Sequence, residues 1–537
     1  SDSTAARALK ALADQSPYGF SGASYADRDA AAEAQRQAEE LANLIKKKGD
    51  DMSPQEFDRL NSTLARYKND PLFQEKFATT LGPRGTMEFW ADLSDGSDGG
   101  SLQRSRLNQL GDFQKNLSFT LAGATQSDSP AMRNWENEMV RLGNQQFRTR
   151  GAEVYGFQVM SNLMRVGDYD DRFLNNYGNA LVETEKKAKI PGLYWQGPTK
   201  PKLNFIGDEF GRDPMTGFMH ALTNSPDAAT EFFATTKPQD NAEWVLKDRR
   251  PFDDTPLNSD DPYHSRKATG RALFAAGSGI SDPQDPNARY VEHTEEQRKV
   301  FKRSLEHLAA TGNDFPPEFR NDMARLMGNH GDTVHRAMSD PINSGSLDSG
   351  QLMEVSKQIS RNQESYAILN EQMNYAILHD IHTEKEHPED SLDRAGRTVG
   401  FLEEARYQAT NDKRDGDLTD ASWKKNWAYH LAGGAVTPLG GGKIGDPLQR
   451  GVDVIATAWL QEETNRINSE ATKDHLKTYE NRNEQLNALA DEWYRVNKDW
   501  AEDPSHEGYS KDFGVYSKIG AAANDGNKKA EGVAGDQ

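Results

Sequence analysis

Ser53-Pro54-Gln55-Glu56-Phe57-Asp58-Arg59-Leu60-Asn61-Ser62-Thr63-Leu64-Ala65-Arg66-Tyr67 carries a complete helix signature. Ser53 is placed to cap the free amides of the first turn. Pro54 fits the first helical position, and Glu56 can reach back to the cap amide. Behind them Phe57, Leu60, Leu64 and Tyr67 recur at helical spacing and share one face. The same grammar continues outward in both directions. Residues 26–48 read as a helix closed by Gly49. Asp70-Pro71 opens another with Phe73, Phe77 and Leu81, stopped by Gly82-Pro83, and Thr86 caps the next, with Phe89, Trp90 and Leu93. Leu107, Leu110, Phe113, Leu117 and Leu121 mark a further helix, and Ser129-Pro130 opens one with Met132, Trp135, Met139 and Leu142.

Composition agrees with a helical chain. Val and Ile, which favour strands, number 30 of 537 residues, and no long alternation of polar and apolar residues occurs. Leu, Ile, Val and Phe together are only 93, a level that with high charge suggests disorder. The 9 Trp, 17 Tyr, 22 Phe and 13 Met argue against that and predict a core of Ala-rich helices pinned by large side chains.

The middle is less regular. Residues 189–214 are rich in Pro, Gly and aromatic residues and 249–264 in Asp and Pro, so both read as long surface loops. Periodicity returns at residues 347–381 and 447–496. The expected fold is all-α: a multi-helical orthogonal or bundle assembly with long irregular loops in the middle. Its expected parts are a polar segment (1–24), an N-terminal helical unit (25–150) and a central unit with long loops (151–345). A long-helix unit (346–520) and a flexible tail (521–537) follow.

A net charge of −20 repels phosphate backbones, so no nucleic-acid partner is expected. No apolar run approaches the roughly 20 residues of a membrane span. The chain opens at Ser1 without the basic and apolar regions of a secretory signal, which is compatible with a processed form or an upstream segment. The absence of Cys excludes disulfides and thiol catalysis.

The best metal-like cluster is His379-Asp380-Ile381-His382, followed by Glu386 and His387. His379 and His382 lie on one helical face, where two imidazoles can meet a cation, and Asp380 could join them. The doublet also fits helical metal-dependent phosphohydrolases, with His330 or His335 as the earlier His and Asp412 as the later Asp. The alternative is a charged helix end running into Pro388. Residues 411–422 imitate a calcium loop, with Asp415 and Gly416 in place. Lys413 at the third position and Ser422 at the twelfth make Ca²⁺ a poor fit. Trp195-Gln196-Gly197 matches the Trp-x-Gly turn of secreted helical hairpins, a match expected by chance. No nucleophile elbow, phosphate loop or dinucleotide fingerprint is present, and no cofactor is expected.

Three blocks carry a resemblance. Phe77-Ala78-Thr79-Thr80-Leu81-Gly82-Pro83-Arg84-Gly85-Thr86 with the following Phe89-Trp90-Ala91-Asp92-Leu93 is the first. Ser225-Pro226-Asp227-Ala228-Ala229-Thr230-Glu231-Phe232-Phe233 is the second. Residues 427–459, with Gly445-Asp446-Pro447-Leu448-Gln449-Arg450-Gly451-Val452-Asp453, are the third. Together they resemble an actinobacterial domain family of unknown function, found in large proteins associated with type VII-like secretion and polymorphic toxins. The resemblance implies export by a leaderless route, to the medium or cell surface, and brings no catalytic residue; the alternative is a cytoplasmic protein. Only about 40 residues follow Val496, too few for a toxin domain of usual size. The function expected is a non-enzymatic helical scaffold or adaptor with protein partners, a delivery or structural module of an exported protein. The alternative is a helical metal-dependent hydrolase centred on His379, Asp380 and His382.

Overall fold

A computed structural model describes residues 25–94, 101–148, 153–285, 292–342, 345–411, 429–430, 478–479, 482–512 and 514–535. The chain divides into two compact units, Ser1–Ala276 and Gly277–Gln537. The division falls inside the stretch expected as one central unit. Helices dominate both, as the residue patterns predict. Strands among the described residues are short: β1 (Gln146–Arg148) pairs antiparallel with β2 (Glu153–Tyr155), and Tyr429–His430 with Thr478–Tyr479.

In the first unit α1 (Tyr25–Lys48), α4 (Leu110–Thr125) and α5 (Pro130–Arg141) pack on α3 (Pro71–Leu93), and α2 (Pro54–Arg66) packs on α4. The caps form as read. Glu56 N donates to Ser53 Oγ at 3.1 Å while Ser53 N donates to Glu56 Oε1 at 2.9 Å. Asp70 takes the amides of Leu72 and Phe73. Gly82 bends α3 instead of ending it: its φ of 74° turns the chain between two helical halves, and Pro83 begins the second. Thr86 is no N-cap here, since its hydroxyl donates to the Gly82 carbonyl at 2.7 Å. Phe57, Phe89 and Trp90 converge on Phe113, with ring centroids 4.8–6.2 Å apart. Each such ring stabilises by roughly 1.5–3 kcal/mol through burial alone.

The hairpin leads into α6 (Gly156–Asn162), α7 (Asp171–Ala188), the short α8 (Pro191–Trp195), α9 (Pro214–Thr223), α10 (Pro226–Ala234) and α11 (His264–Ser278). Phe157, Tyr177, Phe218 and Phe232 form a second aromatic chain through this half. Ser225 does not cap α10; its hydroxyl donates to Asp168 Oδ1 instead.

The second unit contains α12 (Glu295–Ala310), α13 (Arg320–Asn329), α14 (Gly331–Ser339), α15 (Ser349–Ile359), α16 (Gln363–Thr383), α17 (Pro388–Asn411), α18 (Arg482–Val496) and α19 (Val515–Gly535). Thr294 and Gln297 make a reciprocal cap on α12. The periodic stretch 347–381 is two helices, separated at Ser360–Asn362, where Asn362 caps α16 through the Ser365 amide. A core of Leu378, Ile381, Leu392, Val399, Leu489, Trp493 and Ile519 joins α16, α17, α18 and α19. The periodicity of 447–481 and the third block of the resemblance fall almost wholly outside the described residues.

The expected flexible tail is a correction. Residues 515–535 form a helix, and α19 presses against α17 through glycine. A Cβ on Gly400 would run into the Ala523 carbonyl, and one on Gly526 into that of Arg397. Small polar composition suggested looseness, yet here it allows two backbones to touch. Lys529 adds a lock by donating to the carbonyls of Ala337 and Asp340 at the end of α14. Two glycine substitutions in these helices should therefore act oppositely. Gly400→Ala should destabilise by about 1–3 kcal/mol through overpacking. Gly520→Ala, with open space around the new methyl, should stabilise by about 0.5–1 kcal/mol. Urea unfolding midpoints of the two variants check this.

Candidate functional site

His379, Asp380 and His382 occupy the last turn of α16, on the helix the spacing predicts. They do not face a common point. His379 Nδ1 lies 3.4 Å from Asp332 on α14, and His382 Nε2 lies 3.0 Å from Glu492 on α18. Asp380 is buried and turns to partners on neighbouring helices. Arg394 of α17 grips both carboxylate oxygens at 2.8 Å, and His335 Nε2 reaches Oδ2 at 2.9 Å. Burial would raise the Asp380 pKa, but His335 and Arg394 outweigh it and hold the carboxyl well below the ordinary carboxylate range. The other ring nitrogen of His335 meets Thr398 Oγ1 at 2.7 Å. The structure thus brings His335 to Asp380, as the phosphohydrolase pattern requires, but spends both groups on an internal joint among α14, α16 and α17. Spacing puts Cβ atoms on one face; long side chains then follow partners on other helices.

His330, the other candidate, is elsewhere. It is buried between His293 and Phe301, with ring centroids at 3.7 and 4.3 Å, and Nε2 donates to the Gly277 carbonyl at 2.8 Å. Burial first, and the adjacent His293 second, push its pKa down to about 3. Asp412 and the calcium-like loop after Asn411 lie outside the described residues.

The long middle loops hold what the sequence did not disclose. Glu185, fully buried on α7, accepts four hydrogen bonds. Trp195 Nε1 and Arg249 Nη2 donate to Oε2, both at 2.8 Å. Trp244 Nε1 at 3.0 Å and Arg249 Nε at 2.8 Å donate to Oε1. Arg249 also donates to Asp213 at 2.7 Å, and Asp213 caps α9 through the Met215 amide. Arg212 pairs with Asp254 at 2.9 Å, and Asp254 further accepts the Asp213 amide. Segments read as surface loops are therefore stitched into the interior by satisfied charge pairs.

This knot sets the wall of a pocket of about 400 Å³ beside the hairpin. Trp195, fixed through its indole N–H to Glu185, stands edge-on to Tyr155 at 5.5 Å and to Tyr194 at 4.6 Å. Tyr155 and Tyr194 stack at 4.7 Å. Burial and the neighbouring Tyr155 raise the Tyr194 phenol to about 12, so it is a neutral donor at physiological pH. Gln158 closes the floor, taking the Tyr155 amide and donating to the carbonyls of Trp195 and Arg212. Pro198 and Pro201 line it, as do Arg148 and Glu153, an exposed ion pair. The arrangement offers rigid ring faces and a charged rim, suited to gripping a side chain of an extended segment. Only Trp195-Gln196-Gly197 drew notice in the sequence, for a different reason. No helix among the described residues is long and apolar enough to cross a membrane.

Two outcomes follow. Glu185→Ala or Arg249→Ala should each cost roughly 3–5 kcal/mol by leaving a buried charge unpaired. The double variant should cost much less than the sum, readable as a double-mutant cycle in urea midpoints. For His330, a base whose pKa falls on folding from 6.5 to about 3, the unfolded chain binds more protons between those values. Stability should be full above about pH 6.5 and decline as pH falls toward 3, and His330→Phe should flatten that slope by up to about 1.4 kcal/mol per pH unit in thermal melts.

No protein-family model matches this chain, and no curated protein matches it.

Proposed function

We propose that the chain is a non-enzymatic helical scaffold or adaptor, a delivery or structural module of an exported bacterial protein. Its partner is a protein whose extended segment enters the Tyr155–Tyr194–Trp195 pocket. The observation that carries this reading is the contrast between the two candidate places. Asp380 is saturated by Arg394 and His335, which leaves it poorly suited to a cation. The aromatic pocket keeps half-buried ring faces beside a charged rim. The Trp195 ring is held in place by the buried Glu185 and packs against Tyr155 and Tyr194, which limits the side-chain entropy lost on binding. Export by a leaderless route rests on the resemblance of the three sequence blocks.

The test is capture from culture supernatant and cytoplasm with the full chain and with a Tyr155→Ala/Tyr194→Ala variant. A partner from the exported fraction should be retained at least about tenfold less by the variant, the weight of one or two aromatic anchors. Equal retention by both, or recovery of the chain only from cytoplasm with no partner, would overturn the reading. Metal and phosphohydrolase activity that both vanish in a His379→Ala/His382→Ala variant would favour the hydrolase instead.

A further inference from the structure

The loop between α8 and α9 carries Asp208 and Glu209 in adjacent positions, and His264 opens α11. One oxygen from each carboxylate and one imidazole nitrogen all lie within 4.8 Å of one another. His264 Nε2 stands 3.3 Å from Asp208 Oδ1, and Nδ1 stands 3.6 Å from Glu209 Oε2. An ion takes one imidazole nitrogen, and a tetrahedral ion with bonds of about 2.0–2.1 Å places its ligand atoms about 3.3–3.4 Å apart, close to the separation of Nε2 from Asp208 Oδ1.

Two further observations distinguish this cluster from surface acids beside a helix end. Nε2 of His264 is shielded from solvent and makes no hydrogen bond among the described residues, with Asp208 Oδ1 3.3 Å away. Glu209, in turn, is a buried acid. Arg165, buried as well, binds its Oε1, which leaves Oε2 directed to the histidine. An outer partner that fixes one carboxylate oxygen and presents the other is the usual support of a metal ligand.

We propose that His264, Asp208 and Glu209 form a divalent transition-metal site of the zinc class, completed by water, which ties the 196–213 loop to the start of α11. A neutral imidazole beside two carboxylates suits Zn²⁺ better than Ca²⁺ or Mg²⁺, which take oxygen ligands. The Arg165 charge offsets part of the carboxylate charge, so the site binds more weakly than a cysteine-rich one. Asp208, 66% exposed, gives the ion a path from solvent. The proposal stands apart from the partner reading and uses none of its residues.

The experiment is calorimetric titration of the chelator-treated full chain with Zn²⁺, alongside the visible spectrum on adding Co²⁺. We expect about one equivalent bound at this site and a tetrahedral or five-coordinate Co²⁺ spectrum. Asp208→Asn, His264→Gln and Glu209→Gln should each weaken binding by at least about tenfold, whereas His379→Ala/His382→Ala should leave it unchanged. The exposed Asp208→Asn variant keeps its fold, so its result stands even if the buried substitutions unfold the chain. Absence of binding up to millimolar Zn²⁺, or wild-type binding by folded Asp208→Asn and His264→Gln variants, would overturn the proposal.

Discussion

The hydrogen-bonded charge group of Glu185, Arg249 and Asp213 is the constraint on which the first unit depends. Removing three charges from water costs several kcal/mol per ion, so they persist only with nearly every lone pair and N–H engaged. That demand is stringent. It brings two indole N–H groups to Glu185, fixes the start of α9 through Asp213, and pulls the segment around Arg249 inward. Arg249 stays charged because Asp213 and Glu185 outweigh the effect of burial. A chain short of aliphatic residues is here ordered by geometry as much as by apolar area.

The same principle recurs more modestly nearby. Gln114, buried on α4, donates to the Asn162 carbonyl and to Asn204 Oδ1, and accepts the Phe205 amide. Trp90 donates to the Leu203 carbonyl. Backbone groups that irregular loops leave open are thus closed by side chains from regular helices. In the second unit Asp380, His335, Arg394 and Thr398 play the part of the Glu185 group, and Gln485 of α18 reaches Asn374 of α16 at 2.9 Å. Polar contacts between helices set register there, while Trp493 and its neighbours supply burial.

Local features were the legible part of this sequence. The Ser53 box, the Asp70 cap and the helical placement of His379 all depend on residues within a few positions of one another, whereas Gly82-Pro83 reads as a stop and is a bend. What could not be read depends on distance along the chain. Arg249 meets Glu185 across 64 residues and Asp213 across 36, and composition alone assigns such residues to the surface. The His379-Asp380-His382 spacing placed these residues on a helix but not the partners, Arg394 and His335, that meet Asp380 there. The aromatic pocket was equally hidden, because Tyr155 and Tyr194 become neighbours only after the hairpin and α8 are placed. In residues 515–535 the sequence signal was inverted, since small residues that look unstructured alone are what close backbone contact requires.

The glycine seam between α17 and α19 has a consequence for the order of events during synthesis. Glu403 and Asn527 meet across 124 residues, so the groove along α17 gains the cover of α19 only once residues 515–535 have emerged. Helix formation is local and fast, whereas closing so long a loop carries an entropic penalty before its contacts form. The contact between α17 and α19 therefore forms only after α19 has been translated. Until then the Gly396 and Gly400 positions of α17 are open to the close approach of another helix.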